Sequence, residues 1–148
     1  MVRKATQQDL DNFILKQHGN PDIFPYLNTT QYSPTTIANV DDWNGVDFIY
    51  GDLKGWLRIK IFRDEGNTFM VSLYAENNIV AGKLLKEIPA LIKRYDPMAI
   101  KTSVHATNIK SLKINRKIFK EYGVEPKGAW NLATGTWEDL HLFKNVLR

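Results

Sequence analysis

The order of apolar and polar positions divides the chain into short, alternating kinds of element. After Val2-Arg3-Lys4-Ala5, Thr6 is a good helix N-cap, Asp9 is acidic, and Leu10, Phe13 and Ile14 recur at helical spacing. This predicts a short strand and then a helix that ends at Gly19, a usual C-terminal residue. From Asn20 to Ser33 the chain is rich in Pro, Asn and Thr and reads as a loop. Ser33-Pro34 then looks like a cap followed by proline in a first turn, so a second short helix through Ile37, Val40 and Trp43 is expected.

Three runs follow that are rich in β-branched and aromatic residues: Asp47 to Leu53, Trp56 to Arg63 and Thr68 to Ala75. Turn residues at Gly55 and at Asp64-Glu65-Gly66-Asn67 separate them, which predicts an antiparallel meander. Leu57, Ile59 and Ile61 alternate with Arg58 and Lys60, so one side of this strand is expected buried and the other partly wet.

The strongest helical stripe is Leu84, Leu85, Ile88, Leu91, Ile92 and Tyr95, with Lys83, Lys86, Glu87, Lys93 and Arg94 on the other faces. Pro89 removes one backbone bond inside it and predicts a bend. Ala99 to His105 alternates as a strand. Asn108 can cap a further helix carrying Leu112, Ile118, Phe119 and Tyr122 and ending at Gly123. Lys127 to Ala133 and Trp137 to Phe143, around Thr134-Gly135, predict a closing hairpin.

The predicted order is therefore β-α-α-β-β-β-α-β-α-β-β, an α/β fold of the α+β mixed-sheet kind. The 148 residues form one domain, 1–148, with no repeat, low-complexity tract or linker. A chain of this length buries about 70% of its unfolded surface, enough for a core without staples. The absence of cysteine excludes a disulfide scaffold, thiolate metal sites and cysteine nucleophiles, and favours a cytoplasmic setting. No apolar stretch is long enough for a membrane span, and the N-terminus lacks the apolar region of a signal peptide. A net charge of +4 assists phosphate-bearing ligands but is small for a dedicated nucleic-acid binder.

The element order resembles that of the GNAT (acyl-CoA N-acyltransferase) family over nearly the whole chain. Three stretches add to the resemblance: Val2-Arg3-Lys4-Ala5-Thr6 with Asp9-Leu10; Asn108-Ile109-Lys110-Ser111 followed by Phe119-Lys120-Glu121-Tyr122-Gly123; and Gly135-Thr136-Trp137-Glu138-Asp139. The resemblance implies a divergent N-acetyltransferase that takes acetyl-CoA or another acyl-CoA and passes the acyl group directly to an amine, on a small molecule or a protein. It implies that main-chain N–H groups around Leu73, Tyr74 and Ala75 polarise the thioester. In the family, a loop of pattern Q/R-x-x-G-x-G/A before the long helix holds the pyrophosphate of coenzyme A on backbone amides. Here Glu76 takes the Gln/Arg position, Ile79 the first glycine and Ala81 the last, so only Ala81 fits. A carboxylate there is repulsive and a β-branched side chain obstructive. A register shifted to Gly82 lets Lys83 and Lys86 supply charge. Asn108 completes the implied cofactor contacts. The family's tyrosine acid falls on Phe119, which has no proton to give, so the role passes to Tyr122 or to water.

For a general base the candidates are Asp52, Asp64, Glu65 and Glu76, with His105 and His141 as imidazoles. His18 beside Gly19 complements a helix C-terminus. Lys110, Lys113, Lys117 and Lys120 recur along one side of the last helix with Arg116 nearby, a stripe that fits a solvated surface or the phosphates of coenzyme A or nucleic acid. Trp43, Trp56, Trp130 and Trp137 fit rim-of-core packing better than a ligand groove. No P-loop, dinucleotide fingerprint, His-Glu-x-x-His or nucleophile elbow is present, and no metal site is expected. Two rival functions remain open: a non-catalytic binding or assembly protein, such as some phage proteins that resemble this scaffold, and a small nucleic-acid-associated module using the lysines.

Overall fold

A computed structural model describes residues 1–27 and 45–148. The helix expected through Ile37, Val40 and Trp43 lies outside the described residues. The others form β1 (Val2–Lys4), α1 (Gln7–Gln17), a 3-10 turn (Phe24–Tyr26), β2 (Gly45–Tyr50), β3 (Gly55–Phe62), β4 (Thr68–Ala75), α2 (Asn78–Leu85), α3 (Ile88–Tyr95), β5 (Ala99–His105), α4 (Ile109–Ile118), β6 (Lys120–Asn131) and β7 (Thr136–Val146). The strands make one seven-stranded sheet in the order β1-β2-β3-β4-β5-β7-β6, antiparallel except where β4 meets β5.

Local chemistry explains where most elements begin. Thr6 accepts from the Asp9 amide while the Asp9 carboxylate accepts from the Thr6 amide, a reciprocal capping box that starts α1. Leu10, Phe13 and Ile14 then face Ile49 and Trp56 across one side of the sheet, joined by Ile23, Phe24 and Leu27. The opposite side is built from Phe48, Leu57, Ile59, Ile61, Phe69 and Val71, covered by Val80 and Leu84 of α2 and by Ile88, Leu91, Ile92 and Tyr95 of α3. A third, smaller cluster sets Leu112 of α4 on Val104 and Phe143, with Phe119 beside it. Gly55 lets α2 lie close on the sheet, because a Cβ there would stand 2.5 Å from Val80 Cγ1 and 2.7 Å from Leu84 Cδ1.

Three expectations need correction. The long stripe is not one bent helix. It breaks at Lys86 and Glu87, and α3 restarts with Pro89 in its first turn, where a missing N–H breaks no bond. The helix capped by Asn108 stops at Ile118, Phe119 is extended, and Lys120 begins β6, so Tyr122 and Gly123 belong to a strand and Lys120 leaves the lysine stripe. Pairing with β7 decides this, since Phe119 and Tyr122 suit extended chain as well as the helix stripe suggested by spacing alone. The closing hairpin accordingly runs through the whole of β6 and β7, with irregularities between Glu121 and Gly123 and between Glu125 and Ala129.

The Arg58 and Lys60 side of β3 is partly wet, as expected: Lys60 is exposed, whereas Arg58 is buried opposite Asp47 and donates to it twice, from Nε to Oδ1 at 2.8 Å and from an Nη to Oδ2 at 3.0 Å. Trp56 Nε1 donates to the same carboxylate at 2.9 Å, and its ring stacks under the guanidinium at 5.1 Å. The charge is buried because it is fully partnered.

Candidate functional site

The sheet opens between β4 and β5. Only Phe69 with Ile100 and Met70 with Lys101 are paired, after which the two strands part toward their C-terminal ends. One residue past the last pair, Thr102 Oγ1 donates to the Val71 carbonyl at 2.9 Å. Backbone groups alternate sides along a strand, so those of Val71, Leu73 and Ala75 point toward β5, while the intervening ones serve β3. The Glu76 amide, bonded back to the Lys54 carbonyl at 2.9 Å, keeps this alternation. The amides of Leu73 and Ala75 therefore face the gap, whereas that of Tyr74 faces β3 and its ring packs on Trp56 at 5.2 Å.

Beyond β4 the chain turns into α2. Asn77 caps the helix by accepting from the Val80 amide at 2.9 Å. The amides of Asn78 and Ile79, in the first turn, have no carbonyl within the helix to bond to, and they carry the positive end of its dipole. Ile79 is 72% exposed, and nothing lies within 4 Å of where a Gly82 side chain would stand. Ala81 is half-buried and Lys83 exposed on the same helix. The Glu76 carboxylate is drawn back onto α1, accepting from Gln17 Nε2 at 2.9 Å and pairing with Lys16 Nζ at 3.2 Å. Burial pushes its pKa up, but the Gln17 and Lys16 hydrogen bonds outweigh that and hold it below the usual carboxylate value. The Lys16 ammonium offsets part of its charge.

Across the gap, β5 ends at His105, and Asn108 caps α4 by accepting from the Ser111 amide at 3.3 Å. His105 shares a sheet side with α1 and the Phe24–Tyr26 turn, opposite the side covered by α2: its pairing with Leu140 places it with Glu138, and the Tyr26 ring meets it edge-on at 5.3 Å. His105 Nδ1 lies 3.1 Å from Glu138 Oε1. Thr107 Oγ1 donates to Glu138 Oε1 at 2.9 Å, and buried Asn131 donates to Oε2 at 3.0 Å while its own oxygen accepts the Ala133 and Thr134 amides. Burial holds His105 below its ordinary value against the pull of Glu138. Burial acts upward on Glu138, yet hydrogen bonds from Asn131 and Thr107 and the nearby His105 leave it lowered, so it is ionised.

The structure thus brings Leu73, Ala75, Ala81, Gly82, Lys83 and Asn108 to one end of the sheet, around the gap. Tyr122 is elsewhere: it lies on edge strand β6, 46% exposed, under the Lys144 ammonium at 5.2 Å, with β7 and β5 between it and the gap. Asp64 and Glu65 occupy the turn at the opposite end of β4, where they line a shallow depression of about 320 Å³ with Met98 and Lys101. Asp52 is exposed in the β2–β3 turn, and His141 approaches Glu121 at 3.4 Å on the hairpin. Trp130 and Trp137 pack on each other edge-on at 5.1 Å, and Trp56 is core. Lys110, Lys113 and Lys117 are exposed on α4. Sequence reasoning missed Glu138, Thr107, Asn131 and Tyr26, which only strand register and the 24–26 turn bring to His105; the alternation of Glu138 with Leu140 and Leu142 is the one local signal. Among the described residues, no group of three or more His, Asp or Glu is placed to hold a metal ion, and no helix is long and apolar enough to cross a membrane.

No protein-family model matches the sequence, and no curated protein matches it. Solved structures match its shape throughout. A ribosomal-protein-S5-alanine acetyltransferase from Vibrio fischeri matches with a TM-score of 0.75 at 16% identity, over 98% of this chain and 91% of the other. An acetyltransferase of the GNAT family from Streptococcus pneumoniae gives 0.68 at 14% identity, over 99% of both chains. Mycobacterium smegmatis RimJ, solved in complex with CoA-disulfide, gives 0.71 at 14% identity, over 99% of this chain and 81% of its own. The chain has the GNAT acetyltransferase fold.

Proposed function

We propose that this GNAT-fold chain is an N-acyltransferase that takes acyl-CoA in the gap between β4 and β5. The observation that carries the reading is the parting of those strands after Met70 and Lys101, which leaves the Leu73 and Ala75 amides without a β5 partner. The bound donor supplies an acyl group activated as a thioester. Leu73 and Ala75 offer N–H donors to an acyl oxygen as it gains charge, the arrangement that lowers the barrier of acyl transfer. Asn78 and Ile79 offer first-turn amides to a diphosphate, with Gly82 leaving room and Lys83 adding charge. The pairing of Glu76 with Lys16 and Gln17 supports this reading, because it draws the carboxylate toward α1.

The acceptor is an amine, on a small molecule or a protein; a ribosomal-protein alanine is one class, named for the Vibrio fischeri neighbour. Direct attack within a ternary complex fits a chain without cysteine. Tyr122 is not assigned the acid role, and water or the amine proton itself serves the departing sulfur.

Thermal unfolding with acetyl-CoA and with free coenzyme A tests the reading. Saturable stabilisation, about 2.7 kcal/mol at 100 times Kd, supports it, and no shift with either compound at about millimolar concentration overturns it. The rival, a scaffold kept without the donor, draws on Asn77 already occupying the Val80 amide, and the null result would favour it.

A further inference from the structure

An acyl donor whose phosphates meet the α2 N-terminus enters the gap from the side of the sheet that α2 covers, so an acceptor amine has the other side left to it. That side, at the end of β5, holds His105. Its ring is fixed three ways: Glu138 at Nδ1, the Tyr26 edge against its face, and the strand that carries it. Glu138 is in turn fixed by Asn131 and Thr107, so its oxygens cannot swing away. An ionised carboxylate at Nδ1 selects the tautomer with the proton on Nδ1 and the lone pair on Nε2. Nε2 has no hydrogen-bond partner among the described residues.

We propose that His105, oriented by Glu138, removes the proton that keeps the acceptor amine from attacking. This deepens the transferase reading and rests on it. The ammonium of the acceptor gives one proton to Nε2, leaving a neutral amine and an imidazolium. The amine nitrogen then forms the C–N bond to the acyl carbon as the C–S bond breaks, with the bonding pair leaving on sulfur. A second proton passes from nitrogen to that sulfur, yielding amide and thiol, and His105 releases its proton to solvent. Glu138 is a positioning residue that also stabilises the imidazolium. The groups facing His105 are Glu138 from β7, the Tyr26 phenol from the 24–26 turn and Thr107 beyond β5.

The test combines the free protein with the transfer reaction. In imidazole nitrogen NMR, His105 should carry its proton on Nδ1 and titrate below the ordinary histidine value of 6.5. Glu138→Gln removes a charge that raises this pKa, so the titration should move to lower pH. With acetyl-CoA as donor, transfer is followed to spermidine, to a lysyl peptide and to hydroxylamine, which is mostly unprotonated at neutral pH. His105→Gln should cut transfer to the protonated amines by about 100-fold or more, erase the acid limb of the pH profile, and spare hydroxylamine. Glu138→Gln should shift that limb downward, which loss of packing alone would not do. A proton on Nε2, or His105→Gln with wild-type rates and an unchanged limb while acetyl-CoA still stabilises the protein, overturns the role of His105 and leaves the transferase reading standing. Absence of acetyl-CoA stabilisation in the wild type overturns the transferase reading and this role with it.

Discussion

The Thr102 hydroxyl donates to the Val71 carbonyl at 2.9 Å at the apex of the gap, where backbone pairing between β4 and β5 has just ended with Met70 and Lys101. A side chain thereby satisfies the first carbonyl that the ladder abandons, which stabilises an opening that would otherwise expose an unpaired group. Thr102→Val keeps the shape and removes the donor. We expect a loss of about 1 kcal/mol in denaturant unfolding with little change in the m-value; an unchanged midpoint would show that the bond does not brace the apex.

Gly55→Ala tests how α2 is held over the gap. The new Cβ would meet Val80 and Leu84 below 3.0 Å and the Tyr74 carbonyl at 3.2 Å, and only the two side chains can yield. Overpacking of this kind costs about 1–3 kcal/mol. The helix N-terminus should move with it, so acetyl-CoA stabilisation should fall by more than it does in Thr102→Val. Equal losses of ligand response in the two variants would contradict this placement of α2.

Asp47→Ala removes one carboxylate that serves both Arg58 and Trp56 inside the meander. Breaking a buried pair from one side leaves the other charge poorly compensated, and a loss of about 3–5 kcal/mol is expected in chemical unfolding. A loss under about 1 kcal/mol would mean the pair behaves like an exposed one.

Acid should weaken the fold in two stages. His105 is harder to protonate folded than unfolded, because burial disfavours its charged form; the unfolded chain binds more protons, and stability falls as pH drops below the ordinary 6.5. The carboxylates shift the same way: Asp9, held down first by its hydrogen bonds from Arg3, and Glu138 contribute stability above about pH 4.5 that is lost further into acid. Unfolding midpoints measured from pH 8 to 3 should show both declines, and His105→Gln should flatten the upper one alone. An upper decline that persists in that variant would assign it to another group.

What was readable in the sequence was what short-range chemistry determines. Thr6 and Asp9 close a box three residues apart, and β3, β4 and β5 announce themselves by β-branched runs between turn residues. The end of α4 was not readable, because Phe119 and Tyr122 satisfy a helical stripe and a strand equally, and β7, far along the chain, chooses between them. Pro89 signalled an interruption but not its size. The site divides similarly: the turn from Glu76 to Gly82 was visible as a degenerate loop, whereas the rescue of Glu76 by Lys16 and Gln17 depends on packing of α1 against the meander. Asp47 with Arg58 and His105 with Glu138 meet across strands 11 and 33 residues apart, separations that carry no periodic signature.

In the proposed complex, the β4 amides that β5 leaves unpaired and those of the first turn of α2 receive the donor. Backbone amide NMR during an acetyl-CoA titration measures this directly. The largest shifts should fall on Leu73, Ala75, Asn78 and Ile79, with Tyr74, whose amide serves β3, changing less than its neighbours. Shifts confined to the exposed lysine face of α4, or none at Leu73 and Ala75, would contradict it.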